Sequence, residues 1–245
     1  MVPAPERRFP RRTRGFGSPM RAALAVLAFG LVAAGAVDAL EHEIRPKRLV
    51  AVEPGLLYRS GQISPRLVRG VLEELGIGKV VWMLHYDPSR ASHRAEKRAI
   101  DALGIELAHF PMRGNGTGKI ARYADAIAEV AEARRDGVPV LVHCAAGARR
   151  SAAVVAMYRL LVEGASPEAA YRELDRFGSR PVAESPLLPY LNEHMGELAE
   201  LLVERGVIDA VPQPLPLLRP PAREPFALRL ARLAGAEAPG SLAAF

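Results

Sequence analysis

The clearest chemical signal in the chain is its single cysteine and the arginine that follows it at a fixed interval. Cys144 is the only cysteine among 245 residues, and five residues separate it from Arg150. A short apolar run, residues 138–142, precedes it. The full stretch reads His143-Cys144-Ala145-Ala146-Gly147-Ala148-Arg149-Arg150-Ser151. A thiolate nucleophile beside a planar guanidinium, which binds two phosphoryl oxygens at once, is suited to attack on phosphorus.

The spacing predicts a tight loop between the end of a strand at His143 and a helix that begins near Ser151. Backbone N–H groups in such a loop turn inward and bind an anion at the helix N-terminus. Gly147 supplies the backbone freedom that the turn needs, and Arg150 closes over the loop. The positive field lowers the pKa of Cys144, so the thiolate attacks and a phosphocysteine forms. Ser151 is predicted to stabilise the departing sulfur, and His143 to order the loop.

The remaining residues of the loop are predicted to bind the substrate phosphate. They are Ala145, Ala146, Gly147, Ala148 and Arg149. A less specific interpretation of this stretch stays open. In it, the cysteine is an inert buried thiol, and Arg149 and Arg150 are the start of a solvated helix.

These residues resemble the signature of the cysteine-dependent protein tyrosine and dual-specificity phosphatase superfamily, which is His-Cys, five residues, then Arg-Ser or Arg-Thr. A second stretch, Leu57-Tyr58-Arg59-Ser60-Gly61-Gln62 followed by Ser64-Pro65, resembles the opening of the compact, atypical dual-specificity-like group, which has plant, fungal and bacterial members. The resemblance covers roughly residues 50–195. It implies a phosphatase fold and a two-step cysteine mechanism, and it leaves the substrate open.

The chain departs from that family where the proton donor is expected. Members commonly carry an aspartate upstream of the cysteine as general acid, but residues 109–119 contain no carboxylate. The alternatives are Asp87, Asp125 and Glu106, each of which is also explained as an ordinary surface or strand residue. Loss of a general acid costs about 10²–10⁴ in rate. The acid therefore comes from an unusual place, or the substrates have good leaving groups, or the domain binds phosphate esters and turns them over poorly.

Several functions remain open at this stage. The leading hypothesis is a phosphomonoesterase that acts on a phosphorylated protein or a small phosphoester, with inositol polyphosphates as an alternative. Sulfur transfer, as in rhodanese-like proteins, also uses a cysteine loop after a strand, but the interval to Arg150 favours phosphate. A third alternative is a poorly catalytic phospho-ligand-binding module at the membrane. The mechanism needs no cofactor, and the six scattered histidines predict no metal site.

Charge and apolar residues are concentrated at the N-terminus. Residues 1–21 hold six arginines and one glutamate, so they account for five of the six net positive charges and argue against a nucleic-acid-binding domain. The uncharged run 22–37 predicts a signal peptide or membrane anchor, with a small-residue cleavage site at 34–36. It places the rest of the chain outside the cytoplasm, in a bacterial periplasm, although a cytoplasmic core helix is the alternative. Met20 is a second candidate start, and the oligomeric state stays open.

Alternating strands and helices predict a single α/β domain with a mostly parallel central sheet flanked by helices. The predicted segments are the basic tail and leader at 1–40, the phosphatase-like domain at 41–205 and a Pro-rich extension at 206–245. Strands are predicted at 56–59, 79–84, 106–110 and 138–143. Helices are predicted at 65–75, 92–103, 120–135, 151–162, 166–177 and 187–205. The nucleophile then follows the C-terminal end of a strand, where such sites lie.

Overall fold

The computed structural model describes residues 44–178 and 180–222, together with Ala23 and residues 25–27. The chain divides into two units, residues 1–44 and 45–245. Ala23 and residues 25–27 of the first unit are helical and exposed. Among the described residues, no helix combines the length and apolar character of a membrane span. Most of the predicted leader, including Met20, lies outside the described residues, as does the chain beyond 222.

The described part of the second unit forms one five-stranded sheet in the order β1-β2-β5-β3-β4. Its strands are β1 (Val50–Glu53), β2 (Leu57–Ser60), β3 (Lys79–Trp82), β4 (Glu106–His109) and β5 (Val140–His143). β1 pairs with β2 in the antiparallel sense, and all other pairs are parallel. This arrangement confirms the predicted α/β class.

Helices cover both faces of the sheet. In chain order they are α1 (Val68–Glu74), α2 (Ala91–Leu103), α3 (Ala121–Arg135), α4 (Arg150–Leu161), α5 (Pro167–Asp175), a 3-10 turn (Val182–Glu184), α6 (Leu187–Glu193) and α7 (Met195–Glu204). Side chains alternate along the strands, so two cores form. Val80 and Leu141 pack with α1 and α2, whereas Val81, Val140 and Val142 pack with the later helices.

The register of the parallel strands brings four residues into one row at the C-terminal edge of the sheet. His143 lies opposite Ser60 of β2 and Trp82 of β3, and Trp82 lies opposite His109 of β4. The loops that follow these residues therefore meet at a single edge. This is the edge from which Cys144 leaves β5.

Three local features differ from the sequence-based prediction. The edge strand β1 was not expected, because residues 41–55 are charged and contain prolines. The helix expected from Pro65 begins at Val68, since residues 65–67 form a turn bonded back to the Ser64 carbonyl. The apolar periodicity over 187–205 is shared by two helices that meet at His194, whose φ of −97° and ψ of 13° leave helical geometry.

The segment after α7 packs back onto the domain without forming a helix or strand up to residue 222. Leu218 is buried, and the Asn192 side chain exchanges two hydrogen bonds with its backbone, at 2.9 and 3.0 Å. Arg219 adds an ion pair with Glu168, at 2.5 Å. The described part of the Pro-rich extension is thus held by specific contacts.

Candidate active site

The predicted loop lies at the C-terminal edge of the sheet, between β5 and α4. Cys144 directly follows β5 and is 1% exposed, while Ala145 beside it is exposed. The helix begins at Arg150, and Ser151 in its first turn is fully buried. The sheet edge therefore presents the loop at the surface and keeps the sulfur just beneath it.

The carbonyl groups of three consecutive loop residues point outward, because each accepts a hydrogen bond from a neighbouring segment. The pairs are Gln62 N–H to Ala145 O at 3.2 Å, Arg48 Nη1 to Ala146 O at 2.8 Å, and Arg59 Nη1 to Gly147 O at 2.7 Å. In a planar trans peptide the next N–H points the opposite way. The N–H groups of residues 146, 147 and 148 therefore face the interior of the loop and form an anion-binding nest.

Gly147 is the position in the loop that admits no side chain. Its φ is +69°, in the left-handed region that favours glycine. A Cβ atom there would lie 2.4 Å from the Gly61 backbone nitrogen and 2.7 Å from the Ser60 carbonyl carbon. The loop thus passes against β2 too closely for any residue except glycine.

The sulfur of Cys144 is surrounded by donors. Gly147 N–H donates to Sγ at 3.3 Å, and Ser151 Oγ lies 3.6 Å from it. Burial alone raises the pKa of the Cys144 thiol, but hydrogen bonds from Ser151 and Gly147 and the charge of Arg150 outweigh it, so the pKa is lowered overall. These contacts favour a thiolate.

Arg150 is 8% exposed and is anchored by one nitrogen only. Its Nη1 donates to the carbonyls of Met83 and Met112, at 3.1 and 3.2 Å, where β3 and β4 have just ended. Its buried Nε has no partner among the described residues. The anchored arginine thus keeps donor capacity for two oxygens of a phosphoryl group.

Two further polar residues were predicted for the site. His143 lies at the N-terminal end of the loop and Arg149 at its C-terminal end. Arg149 Nη2 donates to the Arg180 carbonyl at 2.9 Å, which ties the start of α4 to the segment after α5. His143 is buried, and its Nε2 lies 2.8 Å from a carboxylate oxygen of Glu96. Both contacts fix the ends of the loop.

Several residues that brace the loop were not assigned a role from sequence. Arg59 is fully buried, forms an ion pair with Glu173 of α5 and lies 5.0 Å from the Phe177 ring centre. Arg48 has an unusual positive φ of 49°. Arg59 lies in the second stretch that resembles the phosphatase group, which is a signal for it. Nothing local in the sequence indicates that Arg48 reaches the loop or that Glu173 pairs with Arg59.

The predicted acid candidate Asp87 lies in the loop after β3 and is occupied by its own turn. Its carboxylate accepts hydrogen bonds from the Ser89 N–H and hydroxyl, at 2.9 and 2.6 Å, and from Arg90 at 3.2 Å. These hydrogen bonds, led by the Ser89 hydroxyl, lower the pKa of Asp87. A carboxyl group that is ionised at neutral pH is a poor proton donor.

The other two candidate acids, Asp125 and Glu106, contact residues away from the Cys144 loop. Asp125 of α3 accepts hydrogen bonds from Arg205, at 2.6 and 3.0 Å. Glu106 begins β4 and lies 2.9 Å from Lys79, at the N-terminal edge of the sheet and therefore opposite Cys144. Neither contact is typical of a proton donor to a leaving group at the loop.

A cleft of about 410 Å³ lies beside the loop and shares Met112 with the Arg150 anchor. Its basic lining residues are His85, Arg113, Lys119 and Arg122. No carboxylate belongs to its described lining. Tyr123, which is buried under the 113–119 segment, donates to the Gly116 carbonyl at 2.8 Å and positions this wall. Three cationic side chains and His85 thus line the cleft next to Met112, whose carbonyl anchors Arg150.

One cluster of three carboxylates occurs in the described part of the chain, at Glu106, Glu129 and Glu132. The Lys79 ammonium lies among them, at 2.6–2.9 Å from each. The lysine already neutralises this group, so the cluster is explained as an ion-pair network.

Comparison with known proteins agrees with the geometry of the loop. Residues 71–196, more than half of the chain, match the model of the family described as dual specificity phosphatase, catalytic domain. A search of curated proteins gives no match.

Solved structures are similar to this chain at low sequence identity. The core catalytic domain of the PP-IP phosphatase SIW14 from S. cerevisiae, in complex with citrate, is 18% identical with a TM-score of 0.51, over 70% of this chain and 97% of that one. TpbA of P. aeruginosa is 22% identical with a TM-score of 0.49, over 64% and 96% of the two chains. A variant of TpbA in complex with pTyr is 21% identical with a TM-score of 0.49, over 64% and 95%.

Proposed function

The chain belongs to the dual specificity phosphatase family and is a cysteine-dependent phosphatase, and from this premise we propose that it hydrolyses phosphate monoesters through a phosphocysteine on Cys144. The observation that carries the proposal is the loop whose three outward carbonyls turn its N–H groups toward the sulfur. This geometry binds three phosphoryl oxygens while the sulfur faces phosphorus.

In the first step the Cys144 thiolate attacks phosphorus, the S–P bond forms and the P–O bond to the leaving group breaks. Arg150 and the loop N–H groups hold the oxygens on which charge is carried. In the second step water attacks the phosphocysteine, the S–P bond breaks and inorganic phosphate leaves. Ser151 Oγ, 3.6 Å from Sγ, stabilises the thiolate that is released.

The substrate class follows from the leaving-group side. Asp87 and Asp125 are held by arginines and turn contacts, so the proposed enzyme supplies little acid assistance. A phenol, with a pKa near 10, leaves without a proton more readily than an alcohol does. We therefore favour aryl phosphates, with phosphotyrosine in a protein as the natural class.

A second candidate is supported by the basic cleft beside the loop. Arg113, Lys119 and Arg122, which line it, would attract a substrate with negative charge beyond the reacting phosphate. Inositol polyphosphates have that property, and the yeast relative in fold is named as a PP-IP phosphatase. Comparison of kcat/KM for a phosphotyrosine peptide and an inositol polyphosphate separates the two classes.

The decisive experiment measures hydrolysis of an aryl phosphate by the Cys144→Ser variant. We expect activity to vanish and a ³²P-labelled substrate to leave no acid-stable label on the variant, whereas the wild-type enzyme is labelled. Arg159→Lys, on the same helix and paired with Glu163 at 3.4 Å, is a matched control that keeps its activity. Full activity in Cys144→Ser would refute the mechanism.

Two further assays separate the remaining alternatives. Consumption of thiosulfate by the wild-type protein would indicate sulfur transfer. Tight binding of a phosphotyrosine peptide to the wild-type protein without turnover between pH 5 and 8 would indicate a binding module.

We also propose that the catalytic unit acts outside the cytoplasm. The arginines of residues 1–21 and the apolar run 22–37 support this proposal. Fractionation of expressing bacterial cells, with detection of the catalytic unit and mass determination of its N-terminus, tests it. Recovery of the intact chain in the cytosol would contradict it.

A further inference from the structure

Beneath the loop lies a buried carboxylate, Glu96, that the mechanism above does not use. Resting on the proposed function, we propose that Glu96 is a positioning residue of the phosphatase site, which fixes both flanks of Cys144 through His143 and Gln62. Glu96 lies on α2, a helix that contributes no residue to the loop. It is 1% exposed.

The two carboxylate oxygens of Glu96 have different partners. Oε1 lies 2.8 Å from His143 Nε2, and Oε2 accepts a hydrogen bond from Gln62 Nε2 at 3.3 Å. His143 is the residue before Cys144. The Gln62 backbone N–H bonds the carbonyl of Ala145, the residue after Cys144, at 3.2 Å. One carboxylate thus connects the backbone on both sides of the nucleophile.

The imidazole of His143 is also held across its face. Trp82 stacks on it, with ring centres 5.7 Å apart and an angle of 29° between the planes. The stacking therefore fixes the plane of the ring, and Glu96 Oε1 lies 2.8 Å from its Nε2 as a close contact outside hydrogen-bond geometry. A constellation held in this way keeps a catalytic atom in place more precisely than a loop alone.

Stability alone does not require a carboxyl group at this buried position. Replacing buried polar partners together with well-packed apolar residues of similar volume is often neutral or stabilising, whereas removing one partner is costly. An apolar residue at position 96 would fill the space between α2 and the sheet. A carboxylate is instead expected at position 96 if its role is to hold His143 and Gln62 in fixed positions.

Other charged and titratable groups also face Cys144 and His143, and these groups remain in a Glu96 variant. Arg150, Arg59 and Tyr123 face the Cys144 sulfur from α4, β2 and α3. His93 of α2 faces His143, and Trp82 of β3 covers its ring. Removing the acidic group of Glu96 would by itself favour the thiolate and move the alkylation midpoint down, so a rise of the midpoint reports the connection through His143 and Gln62.

The first readout is the rate at which iodoacetamide alkylates Cys144 as a function of pH, in wild type and Glu96→Gln. Loosening the flanks lengthens the contacts from Gly147 N–H and Ser151 to the sulfur, so the thiolate becomes less favoured. We expect the alkylation midpoint, the pH at which the rate is half-maximal, to rise by about one pH unit. The rate at pH 6 then falls about tenfold. Alkylation needs no turnover, so it tests the positioning role even if the proposed phosphatase function fails.

The control is Asp101→Asn, the same chemical change on the same helix, at an exposed residue that pairs with Lys97. It should leave the alkylation profile unchanged. In turnover of an aryl phosphate, Glu96→Gln should lower kcat more than it changes KM, and Glu96→Asp should recover part of the loss. Loss of fold stability alone would lower the melting temperature and leave the alkylation midpoint of the folded protein unchanged.

Gln62→Leu is a second variant for the case in which Glu96→Gln fails to fold. It removes one of the two connections, keeps the backbone bond to Ala145 O and should move the midpoint in the same direction by a smaller amount. An unchanged alkylation midpoint and an unchanged kcat in whichever of these two variants folds would overturn the proposal.

Discussion

The two sides of the proposed reaction centre are constructed differently. On the nucleophile side, Arg59, Arg48 and Gln62 bond three consecutive loop carbonyls, and the sulfur lies under the loop at 1% exposure. On the leaving-group side, residues 113–115 are exposed, and the nearby candidate Asp87 bonds within its own turn. In the proposed mechanism, this difference corresponds to a site that is preorganised to bind phosphate and form a thiophosphate bond, while the leaving group departs largely by its own acidity.

The largest expected effect tests the leaving-group side. Across phosphate monoesters of rising leaving-group pKa, we expect kcat/KM to fall steeply, with alkyl phosphates slower than aryl phosphates by at least about 10²–10⁴, the contribution of a missing general acid. Initial rates over a series of aryl and alkyl phosphate esters measure how log kcat/KM depends on the pKa of the leaving group. A flat dependence would show that an efficient acid operates on that side.

Arg150→Lys tests the nucleophile side. A lysine has a single nitrogen, so it cannot bond the Met83 and Met112 carbonyls and also hold two phosphoryl oxygens with a planar fork, and transition-state stabilisation is lost. We expect kcat/KM for an aryl phosphate to fall by about 10²–10³. Alkylation of Cys144 in the absence of substrate separates this effect from unfolding, because the thiol should remain reactive.

Gly147→Ala tests whether the loop geometry is required. The added Cβ would meet the Gly61 backbone at 2.4 Å and would hold a non-glycine residue at φ +69°. We expect the loop to shift and kcat/KM to fall about 10²-fold, since small displacements of reacting atoms have effects of that size. Gly164→Ala, at φ +68° with open space around it, is the control for strain alone.

The contrast between the two sides also separates what the sequence predicts from what it does not. Cys144, Gly147 and Arg150 lie within seven consecutive residues, and the apolar run before them predicts a central strand, so the loop and the α/β class follow from local patterns. Glu173 is 114 residues from Arg59, and Arg48 is 98 residues from Ala146. Such contacts arise from tertiary packing, and no local period indicates them.

The same limit applies to local boundaries. The apolar spacing over 187–205 fits one helix because both helices bury the same face, and the break at His194 depends on backbone angles that spacing does not encode. The edge strand β1 is short and partly exposed, with a register shift between Ala51 and Glu53, so it lacks the alternation that predicts a strand.

Ser151→Ala has a smaller effect, on the acidity of the nucleophile. Burial raises the pKa of Cys144, but the Ser151 backbone N–H, the Ser151 hydroxyl, the charge of Arg150 and the Gly147 N–H lower it overall, and the variant removes only the hydroxyl. In wild type the thiolate therefore persists as pH falls below the ordinary thiol value of about 8.5 and is lost only through the lowered pKa. We expect the pH at which alkylation is half-maximal to rise by about half to one pH unit in the variant. This rise corresponds to a reaction about three- to tenfold slower at pH 6.

The smallest expected effect returns to the leaving-group side, at Asp87→Asn and Asp125→Asn. Asparagine keeps the turn contacts of Asp87 with Ser89, and the Arg205 contact of Asp125 lies on the outer side of α3 among other polar groups. The proposed mechanism takes the proton from neither carboxylate, so kcat/KM for aryl and alkyl phosphates should stay within about twofold of wild type. A selective loss on alkyl phosphates in Asp87→Asn would instead identify Asp87 as the acid, reached by rearrangement of its loop when substrate binds. The two sides of the site would then be equally specialised, and the preference for good leaving groups would disappear.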